Sequence, residues 1–465
     1  MDLHRKRILV VGLARTGMAA ARFLHGRGAV VRATDRADEA RLGPAVAELR
    51  AMGIELELGG HSEASVSAAG MVVLSPGVPH TLPMLQAARI RGIPVIGEIE
   101  LAARFIRQPI VAVTGTNGKT TTTELIGAML AASGRRVFVG GNIGRPLIEY
   151  VDAGMPAEIV VAEISSFQLD TIETFRPAVG VWLNISADHL DRHASVEAYA
   201  AAKMRLFENQ DAQDLAVLNA ADPVIAARAA CIRSRKLFFN TAAPGPGAAG
   251  LNGAALILRL PDREPVRLDL ARFRLRGAHN AENASAAALA ALAAGAHPEG
   301  IQAALDAFLP AAHRLETIAT IDGVEYVNDS KATNVDAVRR ALESFSSPVV
   351  LIMGGVDKGG DFNLLQDVVR RRGRGLVLLG GSRDILRAAL GGLLPTREAA
   401  GMREAVHAAQ AMAAAGDAVL LAPGCASFDR YANYQERGED FRRAVMELKT
   451  SLSPAAAAAG AGRDR

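Results

Sequence analysis

Residues 111–124 read VAVTGTNGKTTTTE: an apolar run, then two glycines, a lysine and a hydroxyl. That order suits phosphate chemistry. A loop between a buried strand and a helix N-terminus aims backbone N–H groups at one point, and the helix dipole adds partial positive charge there. Gly115 and Gly118 let the backbone approach an anion, Lys119 adds a mobile cation, and Thr120 offers a hydroxyl to Mg²⁺. The common phosphate loop carries another glycine five positions before Gly118, where Val113 stands. The loop is therefore a shortened one whose turn begins at Gly115. The bland alternative is a glycine turn with a surface lysine, and the ordered succession of strand, glycines, lysine and hydroxyl speaks against it.

Phosphoryl transfer needs metal ligands besides a loop hydroxyl. The run VVAEISSFQLD places Glu163 at the end of a strand, and NISADHLDRHASVEAYAAAKMRLF supplies Asp188, His189, His193 and Lys203. His189 and His193 stand four apart but lack the glutamate of a HExxH zinc motif, so zinc is disfavoured and His193 reads as a solvated loop residue. Further on, RGAHNAENASAA carries Asn280 and Asn283, AHRLE carries Arg314, and VNDSKATNVDA carries Asp329. Taken alone, Asn283 and Arg314 read as a helix cap or a surface pair.

Taken together, TGTNGKT and these downstream residues resemble the Mur ligases and their relative folylpolyglutamate synthetase, which couple ATP hydrolysis to amide formation. The resemblance implies that Gly115, Thr116, Asn117, Gly118, Lys119, Thr120 and Thr121 bind ATP. It implies that Glu163 holds one Mg²⁺, that His189 is a ligand of a second, and that Lys203 is an N-carbamate. Asn280 and Asn283 would meet adenine and phosphates, with Arg314 and Asp329 contributed by the third domain. The segments NDSKATN, MGGVDKGGDF and APGCASFDRYANYQERGEDF are similar to those of the D-glutamate-adding branch of the family, so that the resemblance covers nearly the whole chain except its tail. By it, Lys331, Thr333, Lys358, Ser427, Phe428 and Tyr434 surround D-glutamate, Lys358 facing its side-chain carboxylate.

The same resemblance gives the first block a uridine nucleotide, UDP-N-acetylmuramoyl-L-alanine. Arg15, Thr16, Asp35 and Gly77 would contact uracil and ribose, and Asn142 and Ser165 the diphosphate or sugar. One departure is Ala37, where the family often carries an arginine. The implied activity is that of an ADP-forming acid–D-amino-acid ligase working through an acyl phosphate, in cytoplasmic peptidoglycan precursor synthesis and hence in cell-wall formation, shape and division. Ligation of L-glutamate or another amino acid, and folylpolyglutamate synthesis, are the nearest alternatives. A nucleotide-dependent switch would not need Glu163, His189, Lys203 and an acceptor pocket together. A dinucleotide oxidoreductase would rest on Gly12-Leu-Ala-Arg-Thr-Gly17 alone, where Ala14 replaces the middle glycine.

These residues need elements to carry them. Short β-rich runs alternate with longer Ala/Leu-rich helical stretches, the pattern of α/β domains with parallel sheets covered by helices. Three blocks follow: a Rossmann-like domain at 1–98 opening on RILVVGLARTG, a central P-loop mononucleotide-binding domain with a mostly parallel sheet at 99–310, and a Rossmann-like C-terminal domain at 311–450. Residues 451–465, SLSPAAAAAGAGRDR, read as a disordered tail.

Composition narrows the classes further. The 465 residues carry 52 Lys and Arg against 49 Asp and Glu, a formal charge of +3, dispersed rather than massed in a stripe. With five Tyr and one Trp, nucleic acid is an unfavoured partner. No apolar run approaches the roughly 20 residues that span a bilayer, and MDLHRKRILVVG passes into a strand rather than a secretory signal, so the chain reads as a soluble cytoplasmic protein without membrane contact. Cys231 and Cys425 form no metal or disulfide spacing and read as buried thiols. Three closing domains need no second copy, and a monomer is expected.

Overall fold

The computed structural model describes residues 1–190, 192–241, 244–261 and 263–452. It contains three sheets, each organising one α/β domain. The first, in spatial order, joins Glu55–Leu58, Val30–Asp35, Arg7–Val11, Met71–Leu74 and Val95–Gly97, all parallel. The second has nine strands: Val266–Asp269, Ala255–Arg259, Ala248–Asn252, Arg235–Phe239, Leu215–Asn219, Val179–Trp182, Ile110–Thr114, Ile159–Glu163 and Val137–Gly141. Its pairings are parallel from Val137–Gly141 through Ala248–Asn252 and antiparallel in the last two. The third runs Glu316–Ile321, Val324–Asn328, Ala418–Leu421, Val349–Gly354, Gly373–Leu379 and Thr396–Glu398, antiparallel only in its first pair.

The inner strands Ile110–Thr114, Ile159–Glu163 and Val349–Gly354 are buried along their whole length because both faces of their sheets are covered. In Val349–Gly354, Val349, Leu351 and Met353 enter one core cluster while Val350 and Ile352 enter another, as a period of two dictates. Ile8 and Val10 likewise part from Leu9 and Val11.

Two compact units result: Met1–Ile185 with Glu197–Arg272 and Glu282–Ala307, and Ser186–Val196 with Phe273–Ala281 and the chain from Phe308 onward. The first unit contains the first two sheets, which share one apolar cluster running from Leu3 and Ile8 through Ile99 and Leu101 to Trp182 and Ile232. Two buried carboxylates of the helix Glu98–Ala103 lie within that unit. Glu100 accepts from the N–H groups of Glu173, Thr174 and Phe175, the Thr174 hydroxyl and Arg104. Burial would raise its pKa, but these donors outweigh burial and hold it below the ordinary value. Glu98 is less well served: Oε1 accepts from the Ile148 N–H at 2.7 Å, while Oε2 has no hydrogen-bond partner. Burial, with Glu149 adding repulsion, pushes it up to about 7.

Three sequence readings change. Cys425 is buried, but Cys231 is exposed, at the end of a short 3₁₀ turn. His193 is only 7% exposed rather than solvated. The final helix, Tyr434–Ser451, ends inside the stretch read as tail, and residues 453–465 lie outside the described residues. Among the described residues no helix is long and apolar enough to cross a membrane.

Candidate active site

The strand Ile110–Thr114 is buried throughout and passes at Gly115 into the loop that starts the helix Lys119–Ala132. Gly118 caps that helix at φ 82°, and a Cβ there would stand 2.3 Å from Asn283 Oδ1. Left-handed backbone and a polar neighbour both require glycine at this point. Asn184, just beyond the neighbouring strand Val179–Trp182, brackets the loop. Its Oδ1 accepts from the Asn117 N–H at 2.9 Å, its amide donates to the Asn117 carbonyl at 3.1 Å, and its own carbonyl takes the Thr116 N–H at 3.1 Å. The sequence reading passed over Asn184, although it opens the quoted run NISADHLDRHASVEAYAAAKMRLF.

Two lysines converge on this loop. Lys119 Nζ donates to the carbonyls of Gly115 and Thr116, both at 2.8 Å, and Lys203 Nζ donates to the same Gly115 carbonyl at 2.8 Å. Lys203 is 1% exposed in its helix, Val196–Met204, with the Tyr199 ring 4.4 Å from Nζ. A surface role for it is ruled out. Two ammonium groups on one carbonyl repel each other and together favour an anion.

Glu163, the last residue of Ile159–Glu163, is 2% exposed. It accepts from the Thr120 hydroxyl and from the Asn142 amide, each at 2.7 Å. Both donors are neutral, and no cation among the described residues pairs with this carboxylate. A buried anion left so is a costly arrangement that a divalent cation would offset. Thr120 and Glu163 therefore fit a metal, and Asn142, read as a diphosphate or sugar contact, orients Glu163 here. Gly115, Glu163 and Asn184 all lie at the carboxyl ends of three adjacent parallel strands, where open α/β sheets bind ligands.

The first sheet uses the same edge. Asp35 ends Val30–Asp35 and accepts from the N–H groups of Leu13 (2.5 Å) and Ala37 (2.7 Å), which ties down the Gly12 turn. Arg15 and Thr16 open the helix Arg15–Gly26, and Arg15 approaches Glu149 at 3.8 Å. Gly77 is exposed, at a point where a Cβ would meet nothing within 4 Å. Ser165 caps the turn Ser166–Leu169 in a reciprocal capping box with Gln168. Thr121 is buried in the first turn of the loop helix.

Other expected residues belong to the second unit. Asp188 and His189 pack there: His189 sits at φ 55°, its Nε2 3.8 Å from Asp188 Oδ2. Asp188 also accepts from the Asn334 amide at 2.9 Å and lies 3.7 Å from Lys358 Nζ. These groups line a cleft with Thr333, Asp357, Gly359, Gly360 and Gly424. Thr333 and Lys358 are thus brought together. Lys331 instead lies over the Tyr434 ring at 3.9 Å, Ser427 is buried, and Phe428 is 74% exposed. Asn280 bonds the Arg276 carbonyl at 2.7 Å. Asp329 is pushed up to about 7 by burial, against the lowering pull of Arg314 and the Leu315 N–H.

With this geometry in hand, three family models match successive parts of the chain: "Mur ligase MurD-like, N-terminal domain" over 6–97, "Mur ligase middle domain" over 113–291, and "Mur ligase, glutamate ligase domain" over 313–425. A curated UDP-N-acetylmuramoylalanine–D-glutamate ligase of Desulfosudis oleivorans is 52% identical over 97% of this chain and 98% of its own. One of the same name from Desulfatibacillum aliphaticivorans is 50% identical over 96% and 100%. Among solved structures, a pseudomurein peptide ligase type C from Methanothermus fervidus superposes with a TM-score of 0.60 at 20% identity, covering 96% of this chain and 100% of that one.

Proposed function

The chain belongs to the Mur ligase family, and from that premise we propose that it joins D-glutamate to UDP-N-acetylmuramoyl-L-alanine, converting ATP to ADP and phosphate. The single observation that carries the acceptor is full-length similarity, at 52% identity, to a ligase named for D-glutamate. The reaction is then a step of peptidoglycan precursor synthesis, carried out in the cytoplasm by a monomer with domain limits at 1–98, 99–310 and 311–450.

The loop Gly115–Thr121 holds the ATP phosphates, and Asn117, fixed by Asn184, keeps its backbone in shape. The terminal carboxylate of the L-alanyl group attacks the γ-phosphorus, the bond to the ADP oxygen breaks, and an acyl phosphate forms. Lys119 leaves the Gly115 and Thr116 carbonyls to follow the charge on the transferred phosphoryl group. Thr120, Glu163, His189 and Lys203 would hold Mg²⁺, two ions in all, and the metal would supply neutralisation of the phosphate charge. Carbamoylation of Lys203 is supported by its burial beside a second ammonium, because it replaces one of two repelling cations with an anion.

The D-glutamate amine then adds to the acyl carbonyl, loses a proton, and the tetrahedral intermediate expels phosphate. Asn280, Asn283, Arg314 and Asp329 complete the nucleotide site, while Lys331, Thr333, Lys358, Ser427, Phe428 and Tyr434 receive the acceptor. Charged and hydroxyl groups are what a dicarboxylate requires. Arg15, Thr16, Asp35 and Gly77 take the uridine, with Asn142 and Ser165 toward the diphosphate or sugar.

The test is phosphate release from ATP with UDP-N-acetylmuramoyl-L-alanine across a panel of amino acids. Release with D-glutamate alone is expected. Release with L-glutamate or a diamino acid instead would overturn the acceptor.

A further inference from the structure

Arg437 lies in the first turns of Tyr434–Ser451, on the stripe Arg437, Phe441, Val445 and Leu448 that faces the core. It is only 2% exposed. A guanidinium at such a position must find acceptors or forfeit its hydration. It finds four: Nε donates to Ser330 Oγ at 3.0 Å, Nη2 to the Ser330 carbonyl at 2.9 Å, and Nη1 to the carbonyls of Cys425 at 3.1 Å and Gly354 at 3.3 Å. All are neutral oxygens, and among the described residues no carboxylate forms an ion pair with it. Burial lowers its pKa to about 10, which leaves it charged at neutral pH.

The acceptors come from three loops. Ser330 follows Val324–Asn328, Gly354 ends Val349–Gly354, and Cys425 follows Ala418–Leu421; these three strands are neighbours in the third sheet. The first loop is further tied to the helix, and the second and third to each other. Ser330 Oγ donates to the Tyr434 carbonyl at 2.8 Å, and Val356 and Ala426 exchange backbone bonds at 2.8 and 2.9 Å. The loops carry the groups assigned above to the acceptor: Lys331 directly after Ser330, Lys358 four residues after Gly354, Ser427 two after Cys425.

We infer that Arg437 is a positioning residue for the amino-acid acceptor, its buried guanidinium holding these three loops in register so that their cations and hydroxyls converge on a dicarboxylate. The identity of that acceptor rests on the function proposed above. The planar fork of arginine reaches three loops at once, which a lysine ammonium does not.

The test compares R437K and R437M with the parent chain, full length, measuring KM and kcat separately for D-glutamate, ATP and UDP-N-acetylmuramoyl-L-alanine. Misplacement by about 1 Å costs on the order of 100-fold. R437K should raise the D-glutamate KM by about tenfold or more and R437M further, with the other two KM values held within about twofold. Soluble R437K with an unchanged D-glutamate KM, or with all three KM values rising together, would overturn the inference. Should R437M fail to fold, R437K alone decides. A parent chain that releases phosphate only with another amino acid would sink the proposed acceptor, and Arg437 would then be judged on the KM for that amino acid.

Discussion

Glu98 offers a measurable electrostatic penalty. Its side chain is buried, one oxygen lacks a partner, and its pKa rises from 4.5 to about 7. Below pH 4.5 the carboxyl is protonated in the folded and unfolded chain alike. Between 4.5 and about 7 the folded form keeps a proton that the unfolded form has released, so stability falls as pH rises. Above 7 the loss is complete. The separation of about 2.5 units, at about 1.36 kcal/mol each, gives about 3 kcal/mol. Glu98→Gln abolishes this ionisation while keeping an acceptor for the Ile148 N–H. The stability of E98Q relative to the parent should therefore increase by about 3 kcal/mol from pH 4.5 to 7.5. Urea unfolding at a series of pH values, followed by fluorescence of Trp182, reads this difference. Trp182 is the chain's one tryptophan and lies in the same apolar cluster as Ile99. Asp329 also titrates near 7 but does so in both proteins and cancels. A gap between E98Q and parent that stays constant from pH 5 to 8.5 would refute the reasoning.

Glu163→Gln removes the anion held by Thr120 and Asn142; the Mg²⁺ concentration for half-maximal activity should rise about tenfold or more, and an unchanged Mg²⁺ titration would count against a metal at this carboxylate. Lys203→Ala should abolish turnover but leave binding of the uridine substrate intact, as calorimetry would show; surviving activity ends the carbamate proposal. Gly118→Ala forces an L-residue to φ 82° and a methyl against Asn283. At about 1–2 kcal/mol of strain, the ATP KM should rise about tenfold, and steady-state kinetics with wild-type-like ATP dependence would show that the loop tolerates the change.

Much of this was readable in the sequence because it is local. The apolar runs, their alternation with helices and the order of glycines, lysine and hydroxyl in TGTNGKT are properties of neighbouring residues. Glu163 and Lys203 were found through resemblance, and the structure adds that both are buried against the same short loop region. What escaped depends on partners distant in the chain. Asn184 acts on Asn117 across 67 positions, and Asp188 meets Asn334 across 146. Arg437 reaches Ser330 across 107, which no periodicity could reveal. Burial of His193 and exposure of Cys231 also follow from tertiary packing rather than residue type.

The cluster shared by the first two sheets bears on how such chains can recombine. Residues on both sides of position 98 pack into it, with Leu3, Ile8 and Phe23 on one side and Phe138, Ile148 and Trp182 on the other. A chimaera that takes its first sheet from one relative and its second from another inherits two halves of a single interior. Crossovers there succeed only where the exchanged side chains keep their combined volume, so the segments that form the first and second sheets are expected to be inherited together.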